Sequence, residues 1–198
     1  GGTQLAATRT LTLGPCGGWV NCSWSAFSIL GRITGPGALF FGYPGGALII
    51  GGVGNDYAGG TWLSYSSPGA NTVLNGSTLG TGPVTVGPFC ALAVQGDNGI
   101  CATARVSVTA NSTLYFQSQA PEIGSLVDAG KVVLGSAANG CTLKLGGDGT
   151  SFNYYGNISE VSSVKPGGVV KVGGGTFTMY GGHTYSGPTI ASNGTLRL

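Results

Sequence analysis

The 198 residues carry eight basic and six acidic side chains for a net charge of +2, and the basic residues are scattered, so the chain lacks the electrostatic footprint of a partner for nucleic acid or an acidic membrane. Charged residues make up 7% of the chain against roughly 25% in ordinary soluble domains, which leaves a surface of Thr, Ser, Asn and Gly. Forty glycines without a three-residue period exclude collagen, and 41% apolar residues suffice for a core; the expectation is an N-terminal strand segment, residues 1–15, followed by a single glycine-rich all-β domain, residues 16–198.

The chain opens on Gly1-Gly2 without an initiator methionine, as a processed, trimmed or fragmentary chain does. Residues 8–13 then alternate polar and apolar and stop at Gly14-Pro15, the pattern of a half-buried strand that pairs internally or is donated to a neighbouring subunit. Trp19, Trp24 and Phe27 crowd a short window and read as core or cap residues. Residues 38–41 and 47–50 form the most apolar stretch. Gly42, Pro44, Gly45 and Gly46 break it below the roughly twenty residues of a membrane helix, so it predicts two buried strands and a turn, with no membrane insertion. Residues 83–116 read as antiparallel strands, with Gly96-Asp97-Asn98-Gly99 as a hairpin turn. The best helical spacing lies between Pro121 and Gly135, where Ile123, Leu126 and Val127 share one face.

An Asn-Gly or Asn-Ser step leading to Thr-Leu recurs at Asn75, Asn111, Asn139 and Asn193, with separations of 36, 28 and 54 residues. Gly59-Gly60-Thr61-Trp62-Leu63-Ser64-Tyr65 echoes Gly174-Gly175-Thr176-Phe177-Thr178-Met179-Tyr180. The favoured architecture is a parallel β-solenoid with degenerate repeats; the alternative is an antiparallel β-sandwich with strand exchange between subunits.

Chemistry-bearing residues are sparse. His183, the single histidine, sits in a turn and reads as solvent-exposed, and no Gly-x-Ser-x-Gly elbow accompanies it. The acids Asp56, Asp97, Glu122, Asp128, Asp148 and Glu160 are dispersed singly, with Asp97 and Asp148 in turn sequences. The expectation is no catalytic residue, no cofactor and no metal, since the cysteine gaps do not match zinc spacing and Gly146-Gly147-Asp148-Gly149 is not a calcium repeat. Of the five cysteines, sequence proximity favours disulfides Cys16 with Cys22 and Cys90 with Cys101, leaving Cys141 unassigned. For Cys90 and Cys101 the Asn98-Gly99 turn works against that pairing, because it does not place them opposite each other. Asn21, Asn75, Asn111, Asn157 and Asn193 head Asn-x-Ser/Thr triplets and are candidate N-glycosylation sites.

In the last forty residues, Thr176, Thr178 and Tyr180 fall on one face of an extended strand and Phe177 and Met179 on the other. Gly175-Thr176-Phe177-Thr178, Gly182-His183-Thr184-Tyr185-Ser186-Gly187 and Asn193-Gly194-Thr195-Leu196 resemble the β-strand repeat of bacterial autotransporter passenger domains. That resemblance covers the C-terminal segment and implies coils of a right-handed parallel β-helix exported to the cell surface, with a role in adhesion or self-association.

The expected function is therefore a structural, non-enzymatic protein of the cell exterior that joins copies of itself through β-strand edges into a filament or adhesive layer, with surface glycans as a further partner. A carbohydrate-binding or polysaccharide-cleaving β-helix, with Trp19, Trp24, Trp62 and the tyrosines as stacking platforms, is the first alternative. A viral coat protein is the second, weakened by the absence of a basic arm.

Overall fold

The computed structural model describes residues 3–21, 25–42, 47–64, 71–162 and 164–198. Cys22, Trp24, the turn at residues 43–46 and Tyr65 lie outside the described residues. The chain winds through successive three-sided coils. The first holds β1 (Thr3–Leu5), β2 (Leu11–Thr12) and β3 (Gly18–Val20), and the second β4 (Phe27–Ile29), β5 (Ile33–Thr34) and β6 (Leu39–Gly42). Three coils with two strands each follow: β7 (Leu48–Ile50) and β8 (Thr61–Ser64), β9 (Asn71–Leu74) and β10 (Val84–Val86), β11 (Ala91–Val94) and β12 (Val106–Val108). Three-strand coils then resume with β13 (Thr113–Phe116), β14 (Glu122–Ile123) and β15 (Leu126–Val127), then β16 (Lys131–Leu134), β17 (Cys141–Leu145) and β18 (Phe152–Tyr154), then β19 (Asn157–Glu160), β20 (Gly167–Lys171) and β21 (Thr176–Met179). Finally, β22 (Thr189–Ala191) and β23 (Thr195–Arg197) close the described chain.

All pairings between these strands are parallel, which makes the fold a β-solenoid of about eight turns. The first face stacks β1-β4-β7-β9-β11-β13-β16-β19. The third face stacks β3-β6-β8-β10-β12-β15 and continues, through a bridge between Asp128 and Tyr154, into β18-β21-β23. The second face carries β2-β5 at one end and β14-β17-β20-β22 at the other. The coil length varies from 18 residues (Thr113 paired with Lys131) to 26 (Lys131 paired with Asn157).

Three sequence expectations change here. Residues 89–108 form no antiparallel hairpin: Gly96 and Gly99 close a turn, N–H to carbonyl at 3.1 Å, but neither Asp97 nor Asn98 has the positive φ of a reversing type I′ turn, so the chain rounds a corner instead. Pro121 to Gly135 contains no helix. Ile123, Leu126 and Val127 are buried because β14 and β15 lie on adjacent faces of one coil, and the sharp corner between them mimics helical spacing. Of residues 8–13 only Leu11 and Thr12 form a strand, which pairs with β5 of its own chain while β1 pairs with β4. The two strands expected at 38–41 and 47–50 are present as β6 and β7.

Alternation along each strand sends every second side chain inward, and in-register stacking turns those residues into columns. On the first face, Ile29, Ile50, Leu74, Val94, Phe116 and Leu134 form one such column, each fully buried. Side chains of this size contribute about 1.5–3 kcal/mol each on burial, so the column supplies a dry spine along the axis. On the third face Phe152 stacks on Phe177 with ring centroids 4.7 Å apart.

Where the second face lacks strands, polar side chains replace the ladder. Buried Asn55 accepts the Ile33 N–H at 2.7 Å and donates through Nδ2 to Ser77 Oγ at 3.1 Å and to the Thr78 carbonyl at 2.7 Å, tying three coils together. Near the other end, Lys171 points into the core and is fully buried. Its ammonium donates to the carbonyls of Val172, Gly173 (2.9 Å) and Asn193 (3.5 Å), which matches its three N–H donors with three acceptors. Burial lowers its pKa while Asp148 opposes the shift. Gly146, Gly173 and Gly194 stack at this corner, all with positive φ, and a Cβ on Gly173 would lie 2.0 Å from the Gly146 carbonyl oxygen. That column admits no other residue.

The inward assignment of Phe177 predicts that Phe177→Asp destabilises the chain by more than the about 3–5 kcal/mol typical of losing a buried aromatic, while Thr178→Asp on the outward face changes the unfolding free energy by no more than about 0.5 kcal/mol. Denaturant unfolding followed by circular dichroism checks both.

Candidate functional surfaces

Five of the six acids have partners of their own, and Glu122 on β14 has its Oε1 3.3 Å from where a Cβ on Gly147 would lie, one residue before Asp148. Asp56 pairs with Arg32, the one ion pair among the described residues. The Thr34 hydroxyl, more than that guanidinium, holds its carboxyl below the usual range. Asp97 accepts the Ala120 N–H at 2.8 Å, Asp148 caps the Thr150 N–H at 3.0 Å, and Asp128 accepts the Ser107 hydroxyl. Glu160 is the most engaged: one carboxylate oxygen accepts the N–H of Gly167 at 2.6 Å and of Ser186 at 3.0 Å. The Gly167 amide contributes most to lowering its pKa. Asp97, Asp148 and Glu160 thus act as caps for backbone amides. Among the described residues no group of three or more His, Cys, Asp or Glu is placed to hold a metal ion.

His183 does not project freely into solvent as its turn position suggested. It is half-buried, and its Nδ1 accepts the Ile158 N–H at 3.2 Å. Among the described residues no serine or aspartate hydrogen-bonds either ring nitrogen, so none completes a nucleophilic relay there.

Cys90 Sγ lies 3.7 Å from the Pro88 carbonyl oxygen, and Cys101 Sγ lies 3.4 Å from Thr103 Oγ1. They sit on either side of the corner that replaces the hairpin. Cys16 is an exposed thiol, and its expected partner Cys22 lies outside the described residues. Cys141 is a buried thiol whose pKa burial pushes up to about 12. Among the triplet asparagines, Asn21, Asn75, Asn111 and Asn193 are exposed, whereas Asn157 is half-buried with its Nδ2 donating to the Gly182 carbonyl. The neighbours Cys22 and Ser23 of Asn21 lie outside the described residues.

Two aromatic strips missed by the core-or-cap reading lie on the outside. Trp19, Phe40 and Trp62 occupy matching positions on β3, β6 and β8, with ring centroids 5.1 Å and 6.3 Å apart, and the two tryptophans are 63% and 52% exposed. Tyr155 and Tyr180 stack at 4.8 Å. Because the rings lie face against face along the axis, they offer mostly their edges to a ligand. Strand alternation carried this signal: once Leu39, Phe41 and Leu63 point inward, Phe40 and Trp62 must point out. The surface hollows are open and shallow; one of about 600 Å³ runs past Phe89, Asn111, Lys131 and Asn157.

Residues 45–64 and 169–198 match the Passenger-associated-transport-repeat. This repeat is typical of autotransporter passenger domains. The second segment spans β20 to β23 and contains the residues that carried the sequence resemblance; the first spans β7 and β8, with residues 45 and 46 outside the described set. A passenger repeat implies an extracellular or surface-exposed domain. No curated protein and no solved structure matches the chain.

Two measurements follow from these side chains. Because the Glu160 carboxyl is held below its ordinary pKa, its contribution to stability is complete above that ordinary value of 4.5 and is lost as pH falls through the lowered one; Glu160→Gln should flatten the acid limb of a stability-against-pH curve in that window. In native protein at pH 8 a maleimide should label Cys16 and spare Cys141 until denaturant is added, as mass spectrometry of the labelled peptides would record.

Proposed function

We propose that this chain is a structural part of the cell exterior, a passenger-type β-solenoid that associates head to tail through its strand edges into a filament or adhesive layer. The carrying observation is the poverty of charge on the two outermost ladders. Strands β1, β2 and β3 bear no ionisable side chain, and β22 and β23 bear only Arg197. An edge strand presents unpaired N–H and C=O groups that other proteins guard with lysine, proline or closure, so an unguarded edge favours addition of another strand. Since β1 and β2 already pair within their own chain, the join uses the outer edge of the first coil, with residues 1–15 kept in place. The exposed strip of Trp19, Phe40 and Trp62 adds lateral apolar surface to the same end.

A glycan-binding or glycan-cleaving role draws less support, because the stacked rings present edges and Asp97, Asp148 and Glu160 are engaged in capping backbone amides. Sedimentation and negative-stain microscopy of the purified chain test the reading: rods or oligomers growing with concentration are expected, and Trp19→Lys combined with Ile190→Lys should return them to monomers without lowering the melting temperature. A chain that sediments as a monomer at every concentration overturns it.

A further inference from the structure

On the first face, His183 stands in for a backbone carbonyl of the parallel ladder. Beyond β19 no further strand pairs on that face among the described residues, yet two bonds continue the pattern. The Thr184 N–H donates to the Ile158 carbonyl at 2.9 Å, and the Ile158 N–H, on a fully buried residue, donates to His183 Nδ1 at 3.2 Å rather than to a carbonyl. A backbone carbonyl accepts at any pH; an imidazole nitrogen accepts only while unprotonated.

The geometry opposes the imidazolium at both nitrogens. Nδ1 faces a donor, so a proton there would meet the Ile158 N–H. Nε2 is buried with no hydrogen-bond partner, so nothing accepts from it. The neutral ring must therefore carry its hydrogen on Nε2, and a second proton removes the only acceptor of the Ile158 amide. The ionisable groups on the packed elements do not relieve this. Glu160 on β19 is turned to the Gly167 and Ser186 amides, the Tyr185 hydroxyl meets Thr189 Oγ1 at 2.6 Å, Tyr180 stacks on Tyr155, and Arg197 on β23 is exposed. The Tyr185 ring lies tilted against the imidazole at 6.4 Å and Leu198 lines the same hollow, and among the described residues neither hydrogen-bonds a ring nitrogen.

We propose that His183 is an acid-sensitive latch: unprotonated, it seals β19 under the 183–184 segment, and on protonation at Nδ1 it releases that segment and opens the β19 edge. Burial lowers the imidazole pKa from its ordinary 6.5. The released ring binds a proton more readily than the sealed one, so the sealed state is fully favoured above pH 6.5, loses ground as pH falls below it, and loses no more once the sealed ring also protonates. Acidification to the mildly acid range thus loosens the coil that lies within the second passenger-repeat segment, without touching the Glu160 carboxylate, which titrates lower.

Hydrogen exchange of assigned amides in the intact chain, corrected for the intrinsic pH dependence of exchange, tests the latch. Protection of the Ile158 and Thr184 amides should fall between pH 7.5 and 5.5, by up to about tenfold at one pH unit below the ordinary histidine value, while amides of β11 and β13 hold theirs. His183→Asn, which keeps a side-chain acceptor but has no titrating group, should abolish that fall. Should the variant not fold, long-range nitrogen spectra of the wild-type ring decide: an Nε2–H tautomer that titrates together with Ile158 protection supports the latch. Flat protection in the wild type, an equal fall in His183→Asn, or an Nδ1–H tautomer overturns it.

Discussion

Register between parallel neighbours governs everything else in this molecule. Each coil fixes its own position by pairing residue for residue with the coil before it, so inward side chains land on inward side chains and become columns. A slip of one residue would turn the Ile29 to Leu134 column outward and bring half-buried Ala93 and Tyr115 in. The buried polar groups serve the same constraint. Asn55 with Ser77 bridges the coils that have no second-face strand, and Lys171 gathers three carbonyls where the glycine corner crowds. Both sit where backbone pairing alone leaves acceptors or donors to satisfy.

The shortage of charge follows from that arrangement. A solenoid has little need of ionic contacts, because every inner coil is held on two sides by its neighbours; the single described ion pair, Arg32 with Asp56, is exposed and lies where the β2-β5 ladder of the second face ends. Of the other carboxylates, Asp97, Asp148 and Glu160 cap backbone amides and Asp128 accepts the Ser107 hydroxyl. A surface organised in this way suits a protein of the exterior, where length and rigidity matter more than a concave site, and it agrees with the passenger repeat in residues 45–64 and 169–198.

Strand identity was legible wherever alternation was clean. Phe177 and Met179 face in and Thr176, Thr178 and Tyr180 face away from the core, as the sequence reading held. The repeat period was hidden for a geometric reason: Asn75 and Asn139 follow first-face strands, Asn111 precedes one, and Asn193 lies between the second and third faces, so equal-looking turns mark different corners and their spacings do not share a coil length. The echo between residues 59–65 and 174–180 identified two strands of the same face but with the phase shifted by one, since Trp62 is outside where Phe177 is inside. The Asn98-Gly99 step could not tell a reversal from a corner, because that choice lies in φ and not in composition. The role of His183 was beyond reach of the sequence; its acceptor function depends on Ile158, 25 residues earlier, lying directly beneath it.

The ladder's orientation has a mechanical consequence. Hydrogen bonds between coils run along the long axis, so tension applied between the ends loads them in line and peels one coil at a time. A coil of 18 to 26 residues occupies about 5 Å of axis when seated and spans roughly 60–90 Å when drawn out, so each rupture would lengthen the molecule more than tenfold relative to that coil's share. A tether of this design yields in steps under shear flow, spending force as extension while the coils still seated keep their grip.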